Sequence, residues 1–146
     1  MAILRTVLGD IPADQMGLTY AHQYVVIGYA GARQEMGDRF DREAVLTEIC
    51  DDLGKAMKVH GVNTIVDVTP LEVGRDVDIL RGVAERLNIN VVASTGFFAQ
   101  LNGMPFYWRF MDVEKFEERM IREITDGAEP NKVKCGVIRV AIGEAV

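Results

Sequence analysis

The chain has 146 residues, of which 49% are hydrophobic and 26% charged, so its composition is that of a folded globular protein rather than a disordered segment. Its net charge of −6 argues against nucleic acid or an anionic membrane surface as the main partner. No apolar run reaches the roughly 18 residues of a membrane span, and the N-terminal residues lack the apolar stretch of a signal peptide. We expect one domain over residues 1–146.

The two cysteines, Cys50 and Cys135, fall in a helical pattern and a strand pattern respectively. Neither has the CxxC neighbour of a metal-binding or redox motif, so we expect two buried free thiols. This usage is typical of a protein of the reducing cytoplasm.

Strand and helix patterns alternate along the chain. Apolar, β-branched stretches predict strands over 17–27, 62–68, 89–95 and 132–142, and helical spacing of apolar residues predicts helices over 41–59, 74–87 and 111–125. Asp41 and Asp112 are predicted N-caps, and Gly61 a C-terminal stop. Apolar strands that alternate with helices indicate a parallel sheet with helices packed outside. Periodicity does not decide between a small doubly wound fold and half of a (β/α)₈ barrel, whose full length is about 250 residues.

The first predicted strand, in "GLTYAHQYVVIGYA" (17–30), carries a single histidine. Strand alternation places Tyr20, His22 and Tyr24 on one face. A second histidine at position 24 would make a His-x-His pair, a strong signal for a metal site, but a phenol stands there. From the residues alone, the strand is a metal site, a former metal site, or a strand that never held one.

Several stretches, among them "GVNTIVDVTP" (61–70), "VVASTGF" (91–97) and "KVKCGVIRVA" (132–141), resemble the phosphotriesterase family of metal-dependent hydrolases. The resemblance extends from about residue 5 to about residue 142 and covers the N-terminal half of the family's barrel. It implies an α/β fold, a parallel (βα)₄ half of a (β/α)₈ TIM barrel. It also implies two divalent metal ions, zinc in type, and hydrolysis of phosphotriesters, lactones or related esters.

The resemblance implies a ligand set of a His-x-His pair on the first barrel strand, a carbamylated lysine on the fourth, histidines on the fifth and sixth, and an aspartate on the eighth. His22 matches the first histidine, whereas Tyr24 stands at the second and Arg139 at the lysine. A phenol with a pKa near 10 is a poor ligand at neutral pH, and a guanidinium cannot become the carbamate bridge. His22 is therefore the one candidate metal ligand, no catalytic residue is assigned, and we expect no bound metal.

Five residues are candidates for a substrate or anion pocket: Tyr24, Phe98, Tyr107, Trp108 and Arg139. Arg139 is either paired with Asp67 or Glu144, or free to clamp an anion. The aromatic residues either pack in the interior or line the mouth of the barrel, where the loops of this fold form the pocket.

A half barrel leaves an apolar inner face and two unpaired strand edges. Val66, Val92 and Val137 are expected to meet water, and the first and fourth strands to invite pairing. We therefore expect a homodimer that closes one barrel and binds a small anion or ester. Three functions stay open: a degenerate relative with little or no hydrolase activity, a metal-dependent hydrolase completed by a partner chain or a C-terminal half, and a structural or interaction module.

Overall fold

The computed structural model describes residues 2–29, 31–99 and 104–141. The strands are β1 (Ile3–Thr6), β2 (Gly9–Pro12), β3 (Thr19–Gln23), β4 (Thr64–Asp67), β5 (Asn90–Phe97) and β6 (Val137–Val140). The helices are α1 (Ala32–Met36), α2 (Arg42–His60), α3 (Val77–Leu87) and α4 (Val113–Thr125).

Strands β3 to β6 form one parallel sheet, in the order β3-β4-β5-β6. Ile65 lies opposite Val91, and Thr95 lies opposite Ile138. The spatial order follows the chain order, without the reversal that characterises a doubly wound sheet. The sheet therefore curls as half of a barrel, and the predicted (βα)₄ architecture is confirmed.

Local capping signals set the helix ends. Asp41 accepts a hydrogen bond from the backbone N–H of Ala44 at 3.0 Å, and Gly61 ends α2 with a φ of +67°. The helix predicted from residue 74 begins at Val77, because Asp76 caps it by accepting from two backbone N–H groups. Asp112 occupies the N-cap position of α4 but makes no capping side-chain hydrogen bond.

The main core lies between the sheet and helices α2 and α3. Val91 and Ala93 of β5 meet Ile79, Leu80 and Val83 of α3, all at most 1% exposed. Each of the valine, isoleucine and leucine side chains stabilises the fold by about 1.5–3 kcal/mol when it leaves water. Burial of this face accounts for the near-continuous apolar sequence of the middle strands.

The first and last predicted strands are shorter than their apolar patterns. β3 covers only Thr19–Gln23 of the expected 17–27, so Tyr24 lies just past its end, and a register irregularity interrupts its pairing with β4. β6 covers Val137–Val140 of the expected 132–142, of which residue 142 lies outside the described residues. Cys135 therefore precedes the strand rather than lying in it.

An N-terminal antiparallel hairpin, β1-β2, was absent from the sequence prediction. It packs beside β5, where the backbone N–H of Val7 donates to the Val91 carbonyl at 2.8 Å. The Arg5 carbonyl and the Val92 side chain both lie close to Gly136. This packing leaves Val92 only 1% exposed, so the expectation that it meets water is wrong.

The outer strands of the sheet keep apolar surface exposed. Val66 and Val137 are half-buried on one face, while Ile138 and Val140 on the other face of β6 are 57% and 68% exposed. Within residues 2–29, 31–99 and 104–141, β3 and β6 are the outer strands of this sheet. The curled sheet thus has apolar side chains available for further packing at its β6 edge.

Among the helices that the structure describes, none combines the length and apolarity needed to cross a membrane.

Candidate functional site

The side chains at the ends of the outer strands meet across the curl of the sheet. Arg139 of β6 donates from Nη2 to the phenol oxygen of Tyr24, just beyond β3, at 2.9 Å. In a flat sheet these strands would be three strand spacings apart, about 14 Å. The contact therefore depends on the curvature that brings the barrel mouth together.

Phe98 supplies the floor under the guanidinium. The Arg139 carbon Cζ lies 4.2 Å from the centre of the Phe98 ring, and Nη1 makes a long hydrogen bond of 3.4 Å to the Phe97 carbonyl. The backbone N–H of Phe98 donates to Oε1 of the buried Glu72, in the turn after β4. Glu72 thus fixes the backbone from which Phe98 reaches Arg139.

His22 lies next to this contact on β3. Its ring centre is 5.4 Å from that of Tyr24, and its side chain is exposed. We name His22, Tyr24, Phe98 and Arg139 the mouth cluster. It offers a guanidinium, a phenol hydroxyl and an imidazole on an aromatic floor, which can donate several hydrogen bonds to a negatively charged group.

The expected ion pair between Arg139 and Asp67 is wrong. Asp67 instead accepts from the backbone N–H of Val25 at 2.8 Å and from the Thr69 hydroxyl at 2.7 Å. Burial raises the pKa of Asp67, although these hydrogen bonds act in the opposite direction. Asp67 therefore anchors the segment after β3 to the end of β4, while Glu144, the other proposed partner, lies outside the described residues.

Tyr107 and Trp108 lie in a separate aromatic group. Trp108 packs against Phe97 and Phe116 at ring-centre distances of 5.1 and 5.3 Å, and Tyr107 meets Trp108 edge-on while remaining 65% exposed. The structure thus brings together Tyr24, Phe98, Arg139 and His22 of the predicted site residues. Tyr107 and Trp108 contact other aromatic side chains.

Beneath this aromatic group lies a buried ion-pair network that sequence reasoning missed. Glu123 of α4 accepts from both terminal nitrogens of Arg75 at 2.7 and 2.8 Å, from Arg119 at 3.3 Å and from the Thr95 hydroxyl at 2.7 Å. Arg75 also donates to the Ser94 carbonyl at 2.6 Å. The i,i+4 spacing of Arg119 and Glu123 was a possible signal, but nothing local identifies Arg75, 48 residues away, as the partner.

A cleft of about 460 Å³ lies between the segment after β3 and the turn after β4. Its lining is mainly apolar and includes Val26, Tyr29, Phe40 and Leu71, together with Glu72. His22, Tyr24 and Arg139 do not line it. Glu72, which lines the cleft, also holds the backbone of Phe98 in the mouth cluster.

The described residues contain no group of three or more His, Cys, Asp or Glu side chains placed to hold a metal ion. His22 is the imidazole of the mouth cluster, and its neighbour there, Tyr24, is a phenol that accepts a hydrogen bond from the Arg139 guanidinium. A guanidinium offers no lone pair to a metal.

Comparisons with known proteins agree on one family. A model of the phosphotriesterase family matches residues 2–146. The aryldialkylphosphatase of Saccharolobus solfataricus is 26% identical over 135 residues, which cover 92% of this chain and 42% of that protein. The phospho-furanose lactonase of Mycoplasmopsis agalactiae is 29% identical over 162 residues, covering 97% and 43% respectively.

Solved structures match the same half. A variant of the organophosphorus hydrolase from Deinococcus radiodurans superposes with a TM-score of 0.85 at 30% identity, covering 94% of this chain and 43% of the other. The chain therefore spans less than half the length of these relatives, as expected for half of a TIM barrel. The family match over residues 2–146 and the shared half-barrel fold show that the chain belongs to the phosphotriesterase family.

Proposed function

We propose that this chain is a phosphotriesterase-related half barrel, residues 1–146, whose metal centre is degenerate and which has little or no hydrolase activity by itself. The observation that carries the proposal is the 2.9 Å hydrogen bond from Arg139 to Tyr24. These are the two positions at which the family resemblance implies a bridging lysine and a histidine. In this chain the side chains at these two positions are hydrogen-bonded to each other at the ends of β3 and β6.

The donor set of the described residues does not fit a pair of divalent metal ions. Catalytic zinc takes about three protein ligands, usually neutral imidazoles and carboxylates. The mouth cluster supplies one imidazole, and the guanidinium beside it would repel a cation. The family's metals therefore have no step in the function proposed for this chain alone.

A second candidate is a metal-dependent hydrolase of phosphotriesters, lactones or other esters, completed by a partner chain or a C-terminal half. It is favoured by the coverage of 42% and 43% of two relatives, whose names state a phosphatase and a lactonase activity. The remaining ligands would then come from outside the described residues. A structural or interaction module, the third reading, would keep the fold without chemistry at the mouth.

We also propose a homodimer in which two copies close one barrel. The outer strands β3 and β6 and the exposed Ile138 and Val140 support association at these edges. Light scattering should give twice the chain mass, and a monomer would contradict the closed barrel. The cytoplasm is the proposed location, supported by Cys50 and Cys135, which are free thiols in the structure.

Returning the two altered positions to the family's residues tests the proposal. We expect Tyr24→His with Arg139→Lys to raise zinc affinity about tenfold or more, because it adds an imidazole ligand and removes the guanidinium. Zinc titration of wild type and variant measures this, with phosphotriester and lactone hydrolysis as a second readout. Tyr29→His, an added imidazole at a residue that is 88% exposed, is the control. Zinc-dependent hydrolysis by the wild-type chain would favour the second candidate.

A further inference from the structure

We propose that the mouth cluster binds a small oxyanion, a carboxylate or a phosphate group, through Arg139, Tyr24 and His22. This inference rests on the proposed function, in which no metal ion occupies that position. A metal centre binds cations, whereas a guanidinium attracts anions and repels divalent cations. The inference therefore assigns an anionic ligand to these residues.

Arg139 has hydrogen-bonding capacity to spare. A guanidinium carries five N–H donors, and the contacts with Tyr24 and the Phe97 carbonyl use at most two of them. The side chain is half-buried on the ring of Phe98, which restricts its orientation. None of the ion pairs within residues 2–29, 31–99 and 104–141 involves Arg139. Among the described residues, no carboxylate therefore neutralises its charge.

Tyr24 adds a second donor at the same place. Its oxygen accepts from Arg139, so its own hydroxyl hydrogen points elsewhere and is polarised by the neighbouring cation. His22, exposed and 5.4 Å away between ring centres, adds a third polar group at the edge. Of the nearby carboxylates, Asp67 accepts from the backbone N–H of Val25 and Glu72 accepts through Oε1 from that of Phe98, while Oε2 of Glu72 has no hydrogen-bond partner. Neither carboxylate forms an ion pair with Arg139.

This chemistry discriminates by charge. Phosphotriesters and lactones are neutral, whereas the hydroxy acid formed when a lactone ring opens carries a carboxylate. Charge-assisted, often bidentate hydrogen bonds from a guanidinium strengthen only with the anionic form. The site should therefore prefer the anion to the neutral ester of the same size.

Calorimetric titration of the full 146-residue chain in the presence of a chelator tests the inference. The probes are inorganic phosphate, 4-hydroxybutyrate and its neutral lactone, γ-butyrolactone. We expect saturable binding of at least one anion and binding of the lactone at least about tenfold weaker. Binding of phosphate alone or of the carboxylate alone assigns the ligand class.

Three variants locate the site. Arg139→Gln should weaken anion binding at least about tenfold, and Tyr24→Phe, which keeps the ring, about threefold to tenfold. Arg81→Gln removes an equal charge from the exposed pair with Glu85 on α3 and should leave the affinity within about twofold. If Arg139→Gln does not fold, the anion affinity of Tyr24→Phe tests whether the anion binds at the mouth cluster.

An affinity that Tyr24→Phe leaves unchanged, or a wild-type chain that binds neither anion, would overturn the inference. The chelator separates this result from the proposed function. Zinc-dependent hydrolysis by the wild type would contradict the degenerate centre, whereas the titration reads the oxyanion site without metal.

Discussion

Glu123→Gln is expected to lower the free energy of unfolding by about 3–5 kcal/mol at pH 7, because it leaves two buried cations without their carboxylate. The side chain of Glu123 is 7% exposed, and those of Arg75 and Arg119 are 2% and 4% exposed. Arg119 already has one buried nitrogen, Nη2, without a hydrogen-bond partner. Urea denaturation of both proteins measures the difference.

The matched control lies on the same helix. Glu118 pairs with Lys115 at 2.7 Å, but these side chains are 63% and 55% exposed. Glu118→Gln should therefore change the free energy of unfolding by less than about 1 kcal/mol. Equal effects of the two substitutions would contradict the importance assigned to the buried network.

The contribution of Glu123 should also depend on pH. Burial raises the pKa of Glu123, but hydrogen bonds and charges from Arg75, together with the Arg119 charge, outweigh it and lower the pKa from 4.5 to about 2. The folded protein therefore favours the ionised form of Glu123 more than the unfolded chain does. This stabilisation is complete above pH 4.5 and is lost as the pH falls towards 2. The difference in the free energy of unfolding between wild type and Glu123→Gln should shrink over that range. A difference that stays constant would show that the stabilisation does not come from the charge of Glu123.

Gly96→Ala is expected to destabilise the fold by about 2–4 kcal/mol, through backbone strain and a steric clash. Gly96 lies in β5 opposite Arg139 with a φ of +112°, and a Cβ there would lie 1.9 Å from the Arg139 carbonyl oxygen. The substitution would push β6 away and move Arg139 from Tyr24. Denaturation measures the stability, and hydrogen exchange of the β5–β6 amides measures the loss of pairing.

Gly28→Ala is the control for Gly96→Ala. A Cβ at Gly28 would meet no atom within 4 Å, and its φ is not positive. We expect its stability to stay within about 0.5 kcal/mol of wild type. Normal exchange protection of β6 in Gly96→Ala would contradict the close approach of the two strands.

Local signals predicted much of the fold. The sequence predicts helix α2 over 41–59, and the helix spans Arg42–His60. The agreement is close because the capping residues Asp41 and Gly61 lie directly next to the helix ends in the sequence. The predicted start of α3, residue 74, is too early. Gly74 and Arg75 lie in the turn before the helix, and Asp76 is its N-cap residue. Its apolar stripe had identified the helix but not its first turn.

Features that depend on distant contacts were harder to predict. The β1-β2 hairpin has strands of four residues each, too short for a clear alternation, and its turn depends on Gly9 at a φ of +127°. The Arg139–Tyr24 contact joins residues 115 positions apart. Only the family resemblance placed both near the barrel mouth, and it did not reveal that they bond to each other.

Elemental analysis of the wild-type chain, loaded with zinc and separated from free metal, tests the central claim most directly. A degenerate centre predicts well below one zinc ion per chain, since the mouth cluster supplies one imidazole beside a guanidinium. About two ions per closed barrel, the content of a two-metal hydrolase, would contradict the account.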